Sequence, residues 1–398
     1  MTHAISGAQL RQAADAMLPD LVALRREIHQ DPELGLALPR TQQRILDALG
    51  GVGGLELRVG TDLGSVIGIV RGELPGPTVL LRGDMDALPM KERTGLSYAA
   101  TGDTMHACGH DLHVAGLVGA ARLLAAHREQ LRGSAVLMFQ PGEEIGEGAK
   151  AMLAEGLLDV AGERVSAAYA IHVVPGDYGV FSTRSGPIMA GSMEFSVSVC
   201  GRGGHASAPH LTIDPIPVAA ELVSALQAFV TRRVNVFDPA VLSVTSIQAG
   251  GEAKNVVPDS VDLAGSIRVL SHETQQLMQS ELPTLIERIC VAAGCSAEVA
   301  VEPLTPTTVN APDTTDHAQA VLRSMFGPER LWESPAPVMG SEDFSYVLCE
   351  VPGTLLFLRA TPRDVDLETA APNHSPHVLF DDSVLADQAA AMAGFALL

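Results

Sequence analysis

The rhythm of strand and helix along the chain changes twice, and this limits the possible folds more than any other feature. Short apolar runs at Ser65 to Arg71, Thr78 to Leu81, Ala135 to Phe139 and Ala167 to Ile171 alternate with helical spacing at Leu10 to His29, Thr41 to Leu49, Asp111 to about Gln130 and Ala149 to Gly156. This alternation predicts an α/β layer: a mixed, mostly parallel sheet with flanking helices, because parallel neighbours need crossover connections. Beyond Gly186 the order becomes strand Met193 to Val199, helix Pro215 to Arg232, paired strands Val241 to Gln248 and Ser260 to Val269, helix His272 to Ala293 and strand Ala297 to Val301. That β-α-β-β-α-β order is the split pattern of a ferredoxin-like α+β domain. After Pro303 the α/β punctuation returns, with a helix Asp316 to Phe326, a strand Leu355 to Leu358 and a last helix from about Ser383. The expected organisation is one α/β domain, residues 1–186 and 303–398, interrupted by a second domain, residues 187–302. A length of 398 residues suits two domains.

Composition narrows the function. With 47 Asp and Glu against 26 Lys and Arg, the formal charge is −21, which repels a phosphate backbone and an anionic bilayer. Neither nucleic acid nor a membrane is an expected partner. No apolar run approaches the roughly 20 residues of a membrane helix, and Met1 to Asp20 lacks the charged and apolar regions of a secretory signal, so a cytoplasmic enzyme is expected. Five scattered cysteines argue against a disulfide framework. Thirteen histidines stand against one Trp, four Tyr and ten Phe, so candidate metal ligands are plentiful and stacking platforms scarce.

The chemistry-bearing residues fall at the ends of predicted strands, where loops of an open α/β sheet converge. Thr78 to Leu81 runs into Arg82-Gly83-Asp84-Met85-Asp86. Ala135 to Phe139 runs into Gln140-Pro141-Gly142-Glu143-Glu144, and Ala167 to Ile171 into His172. A late loop holds Asn373-His374, and Met105 to Asp111 precedes a long helix. A thiolate, imidazoles and a carboxylate in one crevice suit a divalent transition metal. The residues collected this way are Cys108, His110, Glu144, His172 and His374. Five ligands exceed one tetrahedral ion, so two ions sharing a water or hydroxide is the economical reading. Of the adjacent Glu143 and Glu144, one ligates and the other takes a proton. His113 is expected beside the ligands and not among them, Asp84 in a supporting role, His29 as a structural residue of its helix, and His106 as an anchor of its loop.

Long motifs then point to a family. Arg82 to Pro89 (RGDMDALP), Met105 to Asp111 (MHACGHD), Phe139 to Glu144 (FQPGEE), Gly201 to His210 (GRGGHASAPH), Gly250 to Pro258 (GGEAKNVVP) and Ser341 to Phe344 (SEDF) together resemble the metal-dependent amidohydrolases related to aminoacylase and carboxypeptidase. The branch resembled includes hippurate hydrolases, N-acyl-amino-acid amidohydrolases and auxin-conjugate hydrolases. The resemblance implies a zinc-exopeptidase-like catalytic domain and an inserted domain that dimerises. It implies two divalent ions per subunit (Zn, Mn, Co or Ni) held by Cys108, His110, Glu144, His172 and His374, with Glu143 as general base. It further implies that Asp86 orients a histidine ligand, that His205 steadies the oxyanion, and that Asn255 and Arg268 face the substrate. Two departures stand out: the family usually has alanine at Gly142 and glycine at Arg359.

The expected activity is hydrolysis of the amide of a small N-acyl amino acid, giving an acid and an amino acid. Alternatives are a dipeptidase or carboxypeptidase of the same mechanism, and a catalytically silent metal- or ligand-binding homologue. Cys108 could instead be a thiol nucleophile if no metal claims it; no Gly-x-Ser-x-Gly elbow is present.

Overall fold

The buried aliphatic runs become the middle of one sheet. In the computed structural model, which describes residues 5–398, eight strands lie in the spatial order Leu55–Val59, Val66–Arg71, Arg132–Gln140, Leu74–Asp84, Val165–Val174, Gly353–Arg359, Phe181–Thr183 and Leu331–Glu333. The central four run parallel. Val66–Arg71 and Phe181–Thr183 join them antiparallel, so the sheet is mixed with a parallel centre. Residues Ala135 to Gln140 and Leu80 to Asp84 are buried without alternation, as strands covered on both faces must be.

Helix His110–Ala126 is buried on almost every side, which its all-round apolar sequence allows. It packs against Gly7–Gln30 and Val384–Leu397. A Cβ at Gly119 would approach that of Ala389 to 2.7 Å, so the two helices meet there only because glycine has none. Ser6 and Gln9 form a capping box that starts the first helix.

The smaller unit comprises Met189–Thr308 and Pro337–Glu342; the larger holds the remaining described residues. This boundary differs from the expected 187–302. The last strand continues to Thr305, and a short return at 337–342 carries no strand or helix signal in the sequence. The smaller unit's four-stranded sheet has the order Val241–Ala249, Ser260–Val269, Gly191–Cys200, Ser296–Thr305, antiparallel throughout. Numbered along the chain this is 2-3-1-4, the ferredoxin-like order. Met193, Phe195, Val197 and Val199 alternate inward against Leu222 and Leu226 of helix Pro215–Arg233 and Met278, Leu282 and Ile286 of helix His272–Ala292. Among the described residues no helix is long and apolar enough to cross a membrane.

Candidate metal centre

Within the larger unit, the parallel strands carry the reactive side chains to their C-terminal ends. Leu74–Asp84 delivers Asp84 and, two residues on, Asp86; Arg132–Gln140 leads to Glu143 and Glu144; Val165–Val174 carries His172. His110 opens its helix behind Gly109, whose φ of 86° and contact with Val173 exclude a side chain. His374 is the one non-glycine residue with positive φ among those described, at 65°. Its backbone N–H donates to Ala107 O at 2.9 Å, tying its loop to the residue before Cys108. Such backbone strain persists where surrounding contacts over-determine it.

The donor atoms converge. Cys108 Sγ lies 3.4 Å from His172 Nε2 and 3.3 Å from His374 Nε2. Glu144 Oε1 lies 3.4 Å from His374 Nε2 and 3.9 Å from His110 Nε2. Two donors on one tetrahedral zinc, with bonds of about 2.1–2.3 Å, stand roughly 3.4–3.8 Å apart. The observed separations therefore suit donors set around a cation. Two buried atoms support the fit: among the described residues His110 Nε2 and Glu144 Oε1 make no hydrogen bond, and a buried polar atom without a partner is costly. A divalent ion between them would satisfy both.

The electrostatics agree. Burial pushes the Cys108 thiol up, but His172 and His110 outweigh it and hold the group well below its ordinary range. Burial raises the Glu144 carboxyl against the pull of His374. Hydrogen bonds to Cys108 and Glu144 push His374 up to about 10. Opposite charges packed this closely mark a site built for a charged guest or reaction.

Supporting groups fix the donors. The Asp86 carboxylate accepts the backbone N–H of Glu143 at 3.1 Å and of Glu144 at 3.0 Å. Its carbonyl oxygen accepts His110 Nδ1–H at 2.9 Å, and its Oδ1 is 3.4 Å from the same nitrogen. A protonated Nδ1 leaves the Nε2 lone pair for a metal. Glu143 Oε1 accepts Asp343 N–H at 3.4 Å. Asp343 is in turn held by Gln140 at 2.6 Å, Arg82 at 3.2 Å and the backbone of Ala149 at 2.9 Å.

Residues 80–397 match the model of Peptidase family M20/M25/M40. The chain belongs to this family. Relatives include Thermostable carboxypeptidase 1 of Saccharolobus solfataricus, 38% identical over 92% of this chain and 91% of that protein. IAA-amino acid hydrolase ILR1-like 2 of Arabidopsis thaliana is 37% identical over 95% of this chain and 84% of its own. Among solved structures, the YXEP protein of Bacillus subtilis, described as a dinuclear metal binding peptidase from the M20 family, superposes with a TM-score of 0.82 at 29% identity, covering 96% of this chain and 98% of that one. The M20 chain described here is a metal-dependent hydrolase.

Of the residues singled out in the sequence, Cys108, His110, Glu144, His172 and His374 come together, with Asp86 and Glu143 beside them. His205, Asn255 and Arg268 belong to the smaller unit. His205 is exposed on the strand pair Gly204–His205 and Val256–Val257, and Asn255 accepts Ala206 N–H through its carbonyl at 2.9 Å. Arg268 is half-buried in Ser260–Val269, opposite Val241 and Ser192.

The family departures have local explanations. Gly142 has φ of 72°, and its carbonyl accepts Glu147 N–H and Gly148 N–H, so it shapes the turn bearing Glu143. Arg359 stacks its guanidinium 4.4 Å from the Trp332 ring centre and pairs with Asp177 at 3.3 Å. His106 does not anchor its loop by hydrogen bonds. Neither ring nitrogen has a partner among the described residues, and burial pushes it down to about 3, so it packs as a neutral ring.

Sequence reasoning gave no role to Asp343 or Asn373. Asn373 donates to Cys108 O at 3.2 Å and Val173 O at 3.3 Å. The available signals were position alone: Asp343 inside the SEDF motif, Asn373 beside His374.

Proposed function

We propose that this M20 enzyme hydrolyses the amide bond of small N-acyl amino acids, releasing a carboxylic acid and a free amino acid. The observation that carries the reading is the convergence of Cys108, His110, Glu144, His172 and His374 on one site, with Cys108, His110 and His172 buried, His374 at its exposed rim, and Glu143 adjacent to Glu144. The five residues would hold two divalent ions, which polarise the amide carbonyl and acidify the attacking water. A thiolate in the set favours zinc, cobalt or nickel, with manganese compatible if availability decides.

Glu143 is the general base. Its carboxylate accepts the proton of the attacking water and hands it to the leaving nitrogen. Asp343 N–H steadies Oε1 without neutralising it, and Asp86 fixes the backbone of both glutamates. His205 steadies the oxyanion: Ser207 N–H donates to its Nδ1 at 3.1 Å, so the ring proton sits on Nε2, where it can be donated. Arg268 binds the free carboxylate of the amino-acid half, a planar fork suited to that group, and Asn255 faces the substrate.

The relative named as an IAA-amino acid hydrolase supports an N-acyl amino acid as substrate. The relative named as a carboxypeptidase favours a second reading, cleavage of a peptide bond by the same residues. Comparing kcat/KM for N-acetyl-methionine, hippurate and a matched free dipeptide separates them. A higher value for the N-acyl substrates is expected, and a dipeptide preference would establish the peptidase instead.

A homodimer through the inserted domain is part of the proposal. Val241–Ala249 is an edge strand with Val241 and Ile247 exposed, and Phe237 before it is 92% exposed; an open apolar strand edge favours pairing with another chain. Five free cysteines, one of them in the donor cluster, suit a reducing, cytoplasmic setting.

A further inference from the structure

His113 lies one helical turn after His110 and within reach of Asp84, His110 and His172, so by proximity alone it could be a fourth histidine ligand. Its hydrogen bonds say otherwise. The backbone N–H of Val173 donates to His113 Nε2 at 2.8 Å. A peptide N–H can only donate, so Nε2 must be the acceptor and the ring proton must sit on Nδ1. That proton is donated to Asp84 Oδ1. Both nitrogens are committed, and the ring is almost fully buried.

The residue held by this bond is central to the donor set. Val173 follows His172, and its carbonyl accepts the Nδ1–H of His172 at 2.8 Å and the side-chain N–H of Asn373 at 3.3 Å. Asn373 also donates to the carbonyl of Cys108 and precedes His374. Val173 is thus clamped on its N–H side by the helix that begins with His110, and on its C=O side by the strand and loop residues beside Cys108 and His374. Asp84 anchors the far end of the clamp: its carboxylate meets Arg82 at 2.6 Å and lies 3.4 Å from His110 Nε2.

We infer that His113 is a positioning residue, not a ligand: through Asp84 and the Val173 amide it fixes the orientation of His172 relative to His110. The inference rests on the metal-site reading above, and groups that orient ligands characteristically set affinity as well as geometry.

The test is cobalt(II) titration of wild type, His113→Gln and His113→Leu, following the visible cobalt bands and the thiolate-to-cobalt charge-transfer band, alongside the thermal stability of each metal-free protein. Gln can still accept the Val173 N–H, whereas Leu leaves that amide without its acceptor and removes the His113 N–H from Asp84, which keeps Arg82. The expected result is two cobalt ions per chain in all three, an affinity about 10- to 100-fold weaker in His113→Leu with altered bands, and partial recovery of both in His113→Gln. Loss of one whole cobalt from the variants would show His113 to be a ligand and overturn the inference. Unchanged affinity and bands in His113→Leu, whatever its thermal stability, would overturn it too.

A wild type that binds no cobalt would overturn the metal-site reading itself, and this inference with it. If neither variant folds, a crystal structure of the zinc-loaded wild type decides: the Val173 to His113 bond must persist with His113 outside the coordination sphere, and a zinc–His113 bond contradicts the inference.

Discussion

Cys108 Sγ lies 3.3 Å from His374 Nε2, although 266 residues separate the two in sequence. The contact brings a loop before the central helix against a loop after the last strand of the sheet. The site is therefore a product of the whole larger unit, and its integrity reports on that unit's folding.

Glu143→Gln keeps the side chain's size and removes its basicity. Turnover of N-acetyl-methionine should fall by about 10²- to 10⁴-fold, with metal content unchanged by plasma mass spectrometry. A variant that keeps wild-type turnover would remove Glu143 from the mechanism.

Asp86 serves two glutamate amides and one histidine at once. Asp86→Ala should weaken metal binding by about 10- to 100-fold, as loss of a ligand-orienting carboxylate does. Titration against a competing chelator measures this; equal affinity would mean that the bond from His110 Nδ1–H to the main-chain carbonyl of residue 86 alone suffices.

Arg25 is buried and pairs with Asp111 at 2.6 Å and Asp382 at 2.7 Å, while Tyr98 takes a third bond at 2.7 Å. Arg25→Leu removes the buried guanidinium from Asp111 and leaves Asp382 only Arg26, so denaturant unfolding should show a loss of about 3–5 kcal/mol. A loss below about 1 kcal/mol would show that His29, which also contacts Asp111, compensates.

At Gly142 an added Cβ meets the end of the Leu36 side chain at 2.5 Å, which can move, but the φ of 72° remains. Gly142→Ala should therefore cost about 1–2 kcal/mol, the left-handed penalty of an L-residue. The same unfolding experiment tests it. An increase in stability would mean that the turn can adopt negative φ.

Much of the fold and of the site is legible in the amino-acid sequence. The parallel centre of the sheet follows from unbroken apolar runs, and the ferredoxin-like unit from alternation at Met193, Phe195, Val197 and Val199, because burial on two faces or one leaves a different period. Cys108, His110, Glu144 and His172 stand out because they lie near a strand end or a helix start, and His374 because it lies in the loop after the last strand. What stayed hidden depends on pairings between distant segments. Nothing local to Asp343 tells that its amide reaches Glu143, 200 residues away. Nor does spacing tell that His113 spends both nitrogens on Asp84 and Val173 while His110 leaves its Nε2 without a hydrogen bond. The return of 337–342 to the smaller unit was equally silent, since the segment forms no regular element that a periodicity could reveal.

The most direct test of the account is metal content per chain, measured on the purified protein together with hydrolysis of N-acetyl-methionine before chelation, after it, and after metal is returned. The account predicts close to two divalent ions per chain, with turnover that vanishes on chelation and recovers on reloading. No bound or restorable metal, with turnover untouched by the chelator, would contradict it and return Cys108 to consideration as a nucleophile.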